Sequence, residues 1–245
     1  MRPRFYVPEL EPAAAQVELP EDEAAHLGRV LRLGPGSPVE VIDGRGGLWL
    51  AEVVQADKRS AAVRLIERVS AAPEIGLPVM LVPSVLKGDK MDDVVRDAVM
   101  LGVTALQPIV SERSEVSLAA LMKGGRAARW QRIAVASAKQ CGRAVVPLIA
   151  EPITCDAYLR ESAAGLRVFC VEPSAGDVAV RSVRDVPRPV GAHVVVGPEG
   201  GWSARELTTA VDIGAVPVSL GGRTLRADAA PLVALVALLT AWGEI

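Results

Sequence analysis

The sequence predicts an α/β protein with a mainly parallel sheet, preceded by a small β-domain. Three observations carry this. Past residue 73, short apolar runs alternate with helical stretches, the pattern of parallel strands joined by crossover helices. Before it lie strand-like runs, two of them flanking a Gly-rich turn. Two further glycine-rich turns near the C-terminus each follow an apolar run and precede a helical one. The division falls near Ala71-Ala72-Pro73, giving expected domains of residues 1–72 and 73–245. Half of the 245 residues are hydrophobic, enough for a sizeable core.

In the first domain, Val39-Glu40-Val41-Ile42 and residues 48–54 flank the turn from Asp43 to Gly47, a hairpin signal, and residues 62–66 supply another strand. In the second, Val79-Met80-Leu81-Val82 opens the alternation, and residues 90–101 read as a helix closed by Gly102. The polar, proline-bearing stretch 173–189 reads as a surface excursion. Residues 229–242 form the longest uncharged stretch and are too short for the ~20 residues that span a bilayer. They predict a helix buried on several sides, against the core or a partner subunit alike.

Net charge is −2 and aromatic residues are 3% of the chain. Nonspecific nucleic-acid binding driven by global charge is therefore excluded, as is a base-stacking sheet of the RRM kind. Local patches remain. Between residues 123 and 143, six basic residues occur with no acid among them, and Arg129, Arg132, Lys139 and Arg143 would share one helix face. That stripe suits backbone phosphates or, equally, solvent. Arg2, Arg4, Arg29 and Arg32 form a second patch. Cys141, Cys155 and Cys170 lack metal or disulfide spacing and read as core filler, and the histidines lie far apart, so no metal is expected. The opening residues carry no export segment, which points to the cytoplasm and away from membranes.

The C-terminal turns are Gly197-Pro198-Glu199-Gly200-Gly201-Trp202-Ser203, after His193-Val194-Val195-Val196, and Leu220-Gly221-Gly222-Arg223-Thr224-Leu225-Arg226. Ser203 and Glu206 have the spacing of a capping box. Neither turn has the Gly-Lys-Ser/Thr of a Walker loop or the G-x-G-x-x-G of a dinucleotide fold. One such turn is an ordinary strand–helix connection; two within about 30 residues read as a ligand cradle of bare backbone.

The G-P-E-G-G-x-S-x-x-E run and the following L-G-x-R-x-L-R resemble the ribosomal RNA N3-uridine methyltransferases of the SPOUT (trefoil-knot) superfamily. Arg4-Phe5-Tyr6-Val7, His26-Leu27-Gly28-Arg29-Val30-Leu31-Arg32, Asp43-Gly44, Gln140-Cys141-Gly142-Arg143 and Val146-Pro147 extend the resemblance over most of the chain. It implies a knotted, mainly parallel C-terminal domain and an N-terminal PUA-like β-barrel that binds RNA. It also implies a homodimer that moves a methyl group from S-adenosylmethionine to a uridine of 16S ribosomal RNA, free or in the small subunit. Cofactor contacts map onto Val171 and Glu172 as a third wall, onto Val196, Gly197, Pro198, Gly200 and Gly201, and onto Leu220, Gly221, Leu225, Arg226 and Ala227. Arg226 would stabilise charge on the uracil as the proton at N3 leaves, and Glu199 would orient the base or the cofactor ammonium. The family's usual Lys, Glu and Thr are here Asp97, Met100 and Ala227. These departures motivate a noncatalytic assembly factor as an alternative, and the turns alone also fit a ribose 2′-O-methyltransferase.

Overall fold

The computed structural model describes residues 2–57, 60–162, 164–173 and 178–245. It separates into two units, Met1–Glu74 with Val135–Val146, and Ile75–Ala134 with Pro147–Ile245.

The first unit contains β1 (Arg4–Tyr6), β2 (Val17–Glu18), α1 (Glu21–Ala25), β3 (Pro38–Ile42), β4 (Leu48–Ala56) and β5 (Ala61–Val69). They form a five-stranded sheet in the order β1-β3-β4-β5-β2, parallel between β1 and β3 and antiparallel elsewhere. Two register shifts between β4 and β5 bend the pair, which curls the sheet around a core of Phe5, Leu27, Val39, Val41, Val53 and Val63. Asp43 closes the hairpin turn by accepting from the amides of Arg45 and Gly47. Three acids occupy the first turn of α1, where they complement its dipole, and the helix runs on as a π-helical turn, His26–Leu31. Arg32 ends it at φ 53°, a left-handed conformation uncommon for a side-chain-bearing residue.

The second unit holds β6 (Val79–Pro83), α2 (Lys90–Met100), β7 (Ala105–Leu106), β8 (Ile109–Val110), α3 (Leu118–Lys123), the start of α4 (Arg126–Cys141, whose residues from Val135 on fall in the first unit), β9 (Leu148–Ile149), β10 (Ile153–Thr154) and α5 (Cys155–Arg160). It continues with β11 (Leu166–Val171), β12 (Arg181–Ser182), β13 (Ala192–Val196), α6 (Ala204–Asp212), β14 (Val216–Ser219) and α7 (Ala230–Ala241). Seven strands make one sheet, β12-β14-β11-β13-β6-β7-β9, in which every pairing is parallel. β11 and β13 are valine-rich and buried along nearly their whole length, as strands covered on both faces must be. β13 and β14 flank β11 on opposite sides, so the loops after all three strands emerge at one sheet edge.

Helix ends follow from sequence. Gly102, at φ 90°, donates to Val99 O while Val103 donates to Ala98 O, which closes α2. Ser203 and Glu206 form the reciprocal capping box that starts α6. α7 buries Pro231, Ala234, Leu235, Leu238 and Leu239 but leaves Leu232, Val233 and Val236 partly open. The expected burial on several sides is therefore met within this chain on one face only. No helix among the described residues is long and apolar enough to cross a membrane.

Two sequence expectations are refined. Residues 135–146, expected in the second domain, pack with the first unit. The cause is local: Lys139 Nζ donates to both carboxylate oxygens of Glu23 at 2.7 and 2.6 Å, and Arg143 pairs with Glu74. The Gly46 and Val146 amides also bond to Ala144 O and Gly44 O. The excursion at 173–189 contributes the edge strand β12 as well as surface, while its residues 174–177 lie outside the described residues.

Candidate active site

The loops after β11, β13 and β14 bound one cavity of about 370 Å³ at the carboxyl edge of the sheet. Open parallel sheets place ligands at this edge, because the strand ends and helix starts leave backbone groups unpaired there. Val171 and Glu172 form one wall. Val196, Gly197, Pro198, Glu199 and Gly201 form a second, and Leu220, Gly221, Leu225, Arg226 and Ala227 a third.

The first loop folds as it does because of Trp202. Its indole N–H donates to Cys170 O at 2.9 Å, and its ring packs on Phe169, so the side chain turns into the core while the backbone faces the cavity. A Cβ on Gly197 would stand 3.0 Å from the indole, and Gly201 adopts φ 66° beside the Glu172 carboxylate. Bare backbone is thus a steric requirement here.

Gly200 is a correction. It does not line the cavity but faces Arg113, where a Cβ would meet Arg113 Cβ at 3.0 Å, and Arg113 Nη1 donates to its carbonyl. The Pro198-to-Gly201 turn rotates it outward, with the Gly201 amide bonded back to Pro198 O.

Two ion pairs stand at the cavity. Arg226 Nε and Nη2 donate to the two carboxylate oxygens of Asp228 at 3.0 and 2.8 Å, which raises the guanidinium pKa and lowers that of the carboxyl. Lys90, the first residue of α2, donates to Glu199 Oε1 at 3.0 Å. Sequence reading missed Lys90 because its partner is 109 positions away and no local motif marks it. Also missed were Cys170, Pro173, Arg223, Thr224, Asp228 and Ala230. Cys170 is core filler, as expected, and burial pushes its thiol up to about 12.

The basic stripe divides, with Arg129, Arg132 and Lys139 on α4 and Arg143 past its end, beyond Gly142 at φ 91°. Arg143 is buried against Glu74, and Lys139 is held by buried Glu23 and lies 5.6 Å above the Phe5 ring. Arg129 pairs with Asp92 and Asp89. The absence of acids inside the segment was a poor guide, since all these acids come from other elements. Arg143 and Lys139, expected to meet RNA, are thus engaged in ion pairs within the chain. Arg4 likewise pairs with Glu40 at 2.7 Å. Arg2, Arg29, Arg32 and Arg132 are exposed, the middle two on the π-helical turn and its cap. No group of three or more His, Cys, Asp or Glu among the described residues could hold a metal.

Residues 73–239 match the family described as RNA methyltransferase domain, and residues 19–66 match RNA methyltransferase PUA domain. Ribosomal RNA small subunit methyltransferase E of Synechocystis is 36% identical over 226 residues, covering 90% of this chain and 72% of that protein. Its counterpart in Mycobacterium tuberculosis is 31% identical, covering 96% and 90%. Among solved structures, that methyltransferase from Neisseria gonorrhoeae, bound to S-adenosyl methionine, superposes with a TM-score of 0.88 at 34% identity over 99% of this chain and 98% of that one. A putative methyltransferase from Legionella pneumophila with bound SAM gives 0.91 at 28% identity over 98% of both. With its parallel sheet, its PUA domain and its glycine-walled cavity, this chain belongs to the ribosomal RNA small subunit methyltransferase E family of SPOUT fold.

Proposed function

We propose that this chain methylates N3 of a uridine in 16S ribosomal RNA, working in the cytoplasm as a homodimer with S-adenosylmethionine as donor. The observation that carries the reading is the convergence of three loops on one cavity with bare backbone at Gly197, Gly201 and Gly221. That cavity fits the cofactor on its own terms. Apolar walls at Val196, Leu225 and Ala230 suit an adenine face, backbone amides and carbonyls suit its edge, and the Glu172 carboxylate suits its cationic or hydroxyl groups. The bound cofactor supplies an electrophilic methyl carbon on a sulfonium.

The chain's own residues do the rest. The loops fix the donor so that an acceptor at the mouth meets it in line, and positioning of this kind supplies much of the rate. Arg226, anchored by Asp228, keeps N–H groups for the oxygens of a uracil that becomes anionic when N3 loses its proton. Glu199, anchored by Lys90, orients the base. Exposed Arg29, Arg32 and Arg132 hold RNA phosphates. Leu232, Val233 and Val236 of α7, with Met100 of α2, offer an apolar face to a second copy.

The test incubates the protein with 16S RNA or small subunits and labelled cofactor, then identifies the methylated nucleoside by mass spectrometry. Methyl at uridine N3 is expected, and methyl on a ribose oxygen would mean the 2′-O reading. Calorimetry with cofactor alone should show binding, whereas a noncatalytic assembly factor shows none.

A further inference from the structure

We propose that Lys90 is a second uracil-contacting cation, so that Lys90 and Arg226 each donate to one of the two carbonyl oxygens flanking N3. The inference rests on the proposed placement of a uracil at the mouth of this cavity.

Its basis is a pairing of like devices. Of the three cations that line the cavity, Lys90, Arg223 and Arg226, two are each held by a single acid from a loop of the cradle, Lys90 by Glu199 and Arg226 by Asp228. Neither pair is a buried structural bridge. The Lys90 and Glu199 side chains are 40% and 29% exposed, and surface pairs of this kind contribute little to stability. Lys90 uses one N–H on Glu199 Oε1 and keeps two, while Arg226 keeps the N–H groups that Asp228 does not take. The charged groups that line the cavity with Lys90 are Glu172 after β11, Glu199 from the β13–α6 loop, and Arg223, Arg226 and Asp228 from the β14–α7 loop, with Asp228 close enough to feel its charge.

The edge of uracil that carries N3 reads acceptor, donor, acceptor. Two cationic donors match its two oxygens and mismatch cytosine, which presents an amino group at one of those positions. Charge stabilisation follows from the same contacts. When the N3–H bond breaks, the proton leaves to solvent base and the remaining electron pair delocalises onto both oxygens. Donors fixed there hold that charge without reorganisation. The N3 pair then forms the bond to the methyl carbon as the carbon–sulfur bond breaks, leaving its electrons on a neutral thioether.

The experiment compares wild type, Lys90→Gln and Lys90→Arg in single-turnover methylation of 16S RNA from about pH 6 to pH 10, with calorimetry of cofactor binding beside it. Lys90→Gln is expected to bind cofactor within about twofold of wild type and to react ~10²-fold more slowly at neutral pH. Its rate keeps rising after wild type has levelled off, displacing the plateau upward by about two pH units, because each tenfold change in stabilisation of the anion is one unit. Lys90→Arg keeps the charge and should level off within about one unit of wild type. A Lys90→Gln plateau at the wild-type pH, or a cofactor affinity that falls as far as the rate, overturns the proposal. Failure of wild type to bind cofactor or methylate uridine instead removes the underlying reading, and the inference with it.

Discussion

The glycine-walled cavity and the basic stripe that begins on α4 are both polar features on helix–strand scaffolding, yet they are built in opposite ways. The cavity presents bare backbone at Gly197 and Gly201, and the bulky side chain beside them, Trp202, turns into the core and bonds to Cys170 O. The basic stripe, Arg129, Arg132 and Lys139 on α4 with Arg143 past its end, would recognise with side-chain charge, and three of the four are already paired with Asp92, Glu23 and Glu74. A backbone site is fixed once its loop folds. A side-chain site depends on what the rest of the molecule places opposite.

The sharpest way to probe this contrast is to break a pair on the helix. Lys139→Met leaves Glu23, only 5% exposed, without its cation, and removing one partner of a buried pair costs about 3–5 kcal/mol. Burial already raises the Glu23 pKa, opposed by Lys139, so the variant raises it further. A carboxyl whose folded pKa lies above its unfolded value loses stability as pH rises through the folded pKa. The defect should therefore be full at pH 8 and shrink as the medium is acidified toward the unfolded glutamate value of about 4.3. Denaturant melts of both proteins across that range check it, and a pH-independent defect would show that Glu23 is not the group left stranded.

Next in size is the cradle. Gly201→Val places a β-branched residue at φ 66° and sets its Cβ 3.3 Å from the Glu172 carboxylate. Left-handed strain of this kind costs about 1–3 kcal/mol, or roughly tenfold to hundredfold in cofactor affinity if the loop gives way. Calorimetry reads it directly, and undiminished affinity would mean that the loop backbone does not touch the cofactor. Ser203→Ala, at the start of α6, removes one arm of the capping box and should lower stability by ~1 kcal/mol, seen as a lower melting temperature. Cofactor affinity should fall less, because the cap supports the loop from behind.

The same contrast explains what could be read from sequence. The glycines of the cradle mark it because other residues cannot take those backbone shapes or approaches, and Ser203 with Glu206 marks a helix start by spacing alone. Alternating apolar runs gave the parallel sheet for equally local reasons. Gly200 shows the limit: its sequence context matches its neighbours, but the turn rotates it toward Arg113. Lys90 and the acids facing α4 were invisible because each pairing spans tens of residues, and no periodicity links partners that only the fold brings together.

The smallest effect separates the residues of the stripe most finely. Arg132 is exposed and takes part in no ion pair among the described residues, whereas Arg143 is 7% exposed against Glu74. If phosphate binding uses what is left free, Arg132→Ala should weaken RNA binding by a few-fold. It should also flatten the dependence of log affinity on log salt by roughly 0.7–0.9, the share of one released counterion. Arg143→Ala should leave that slope unchanged and lower stability instead, since it strands Glu74 and empties a buried site. Filter binding across a salt series, paired with melting curves, assigns each arginine to one behaviour. Equal salt slopes for the two variants would mean that exposure does not decide which charges meet RNA, and that the pairing with Glu74 opens on binding.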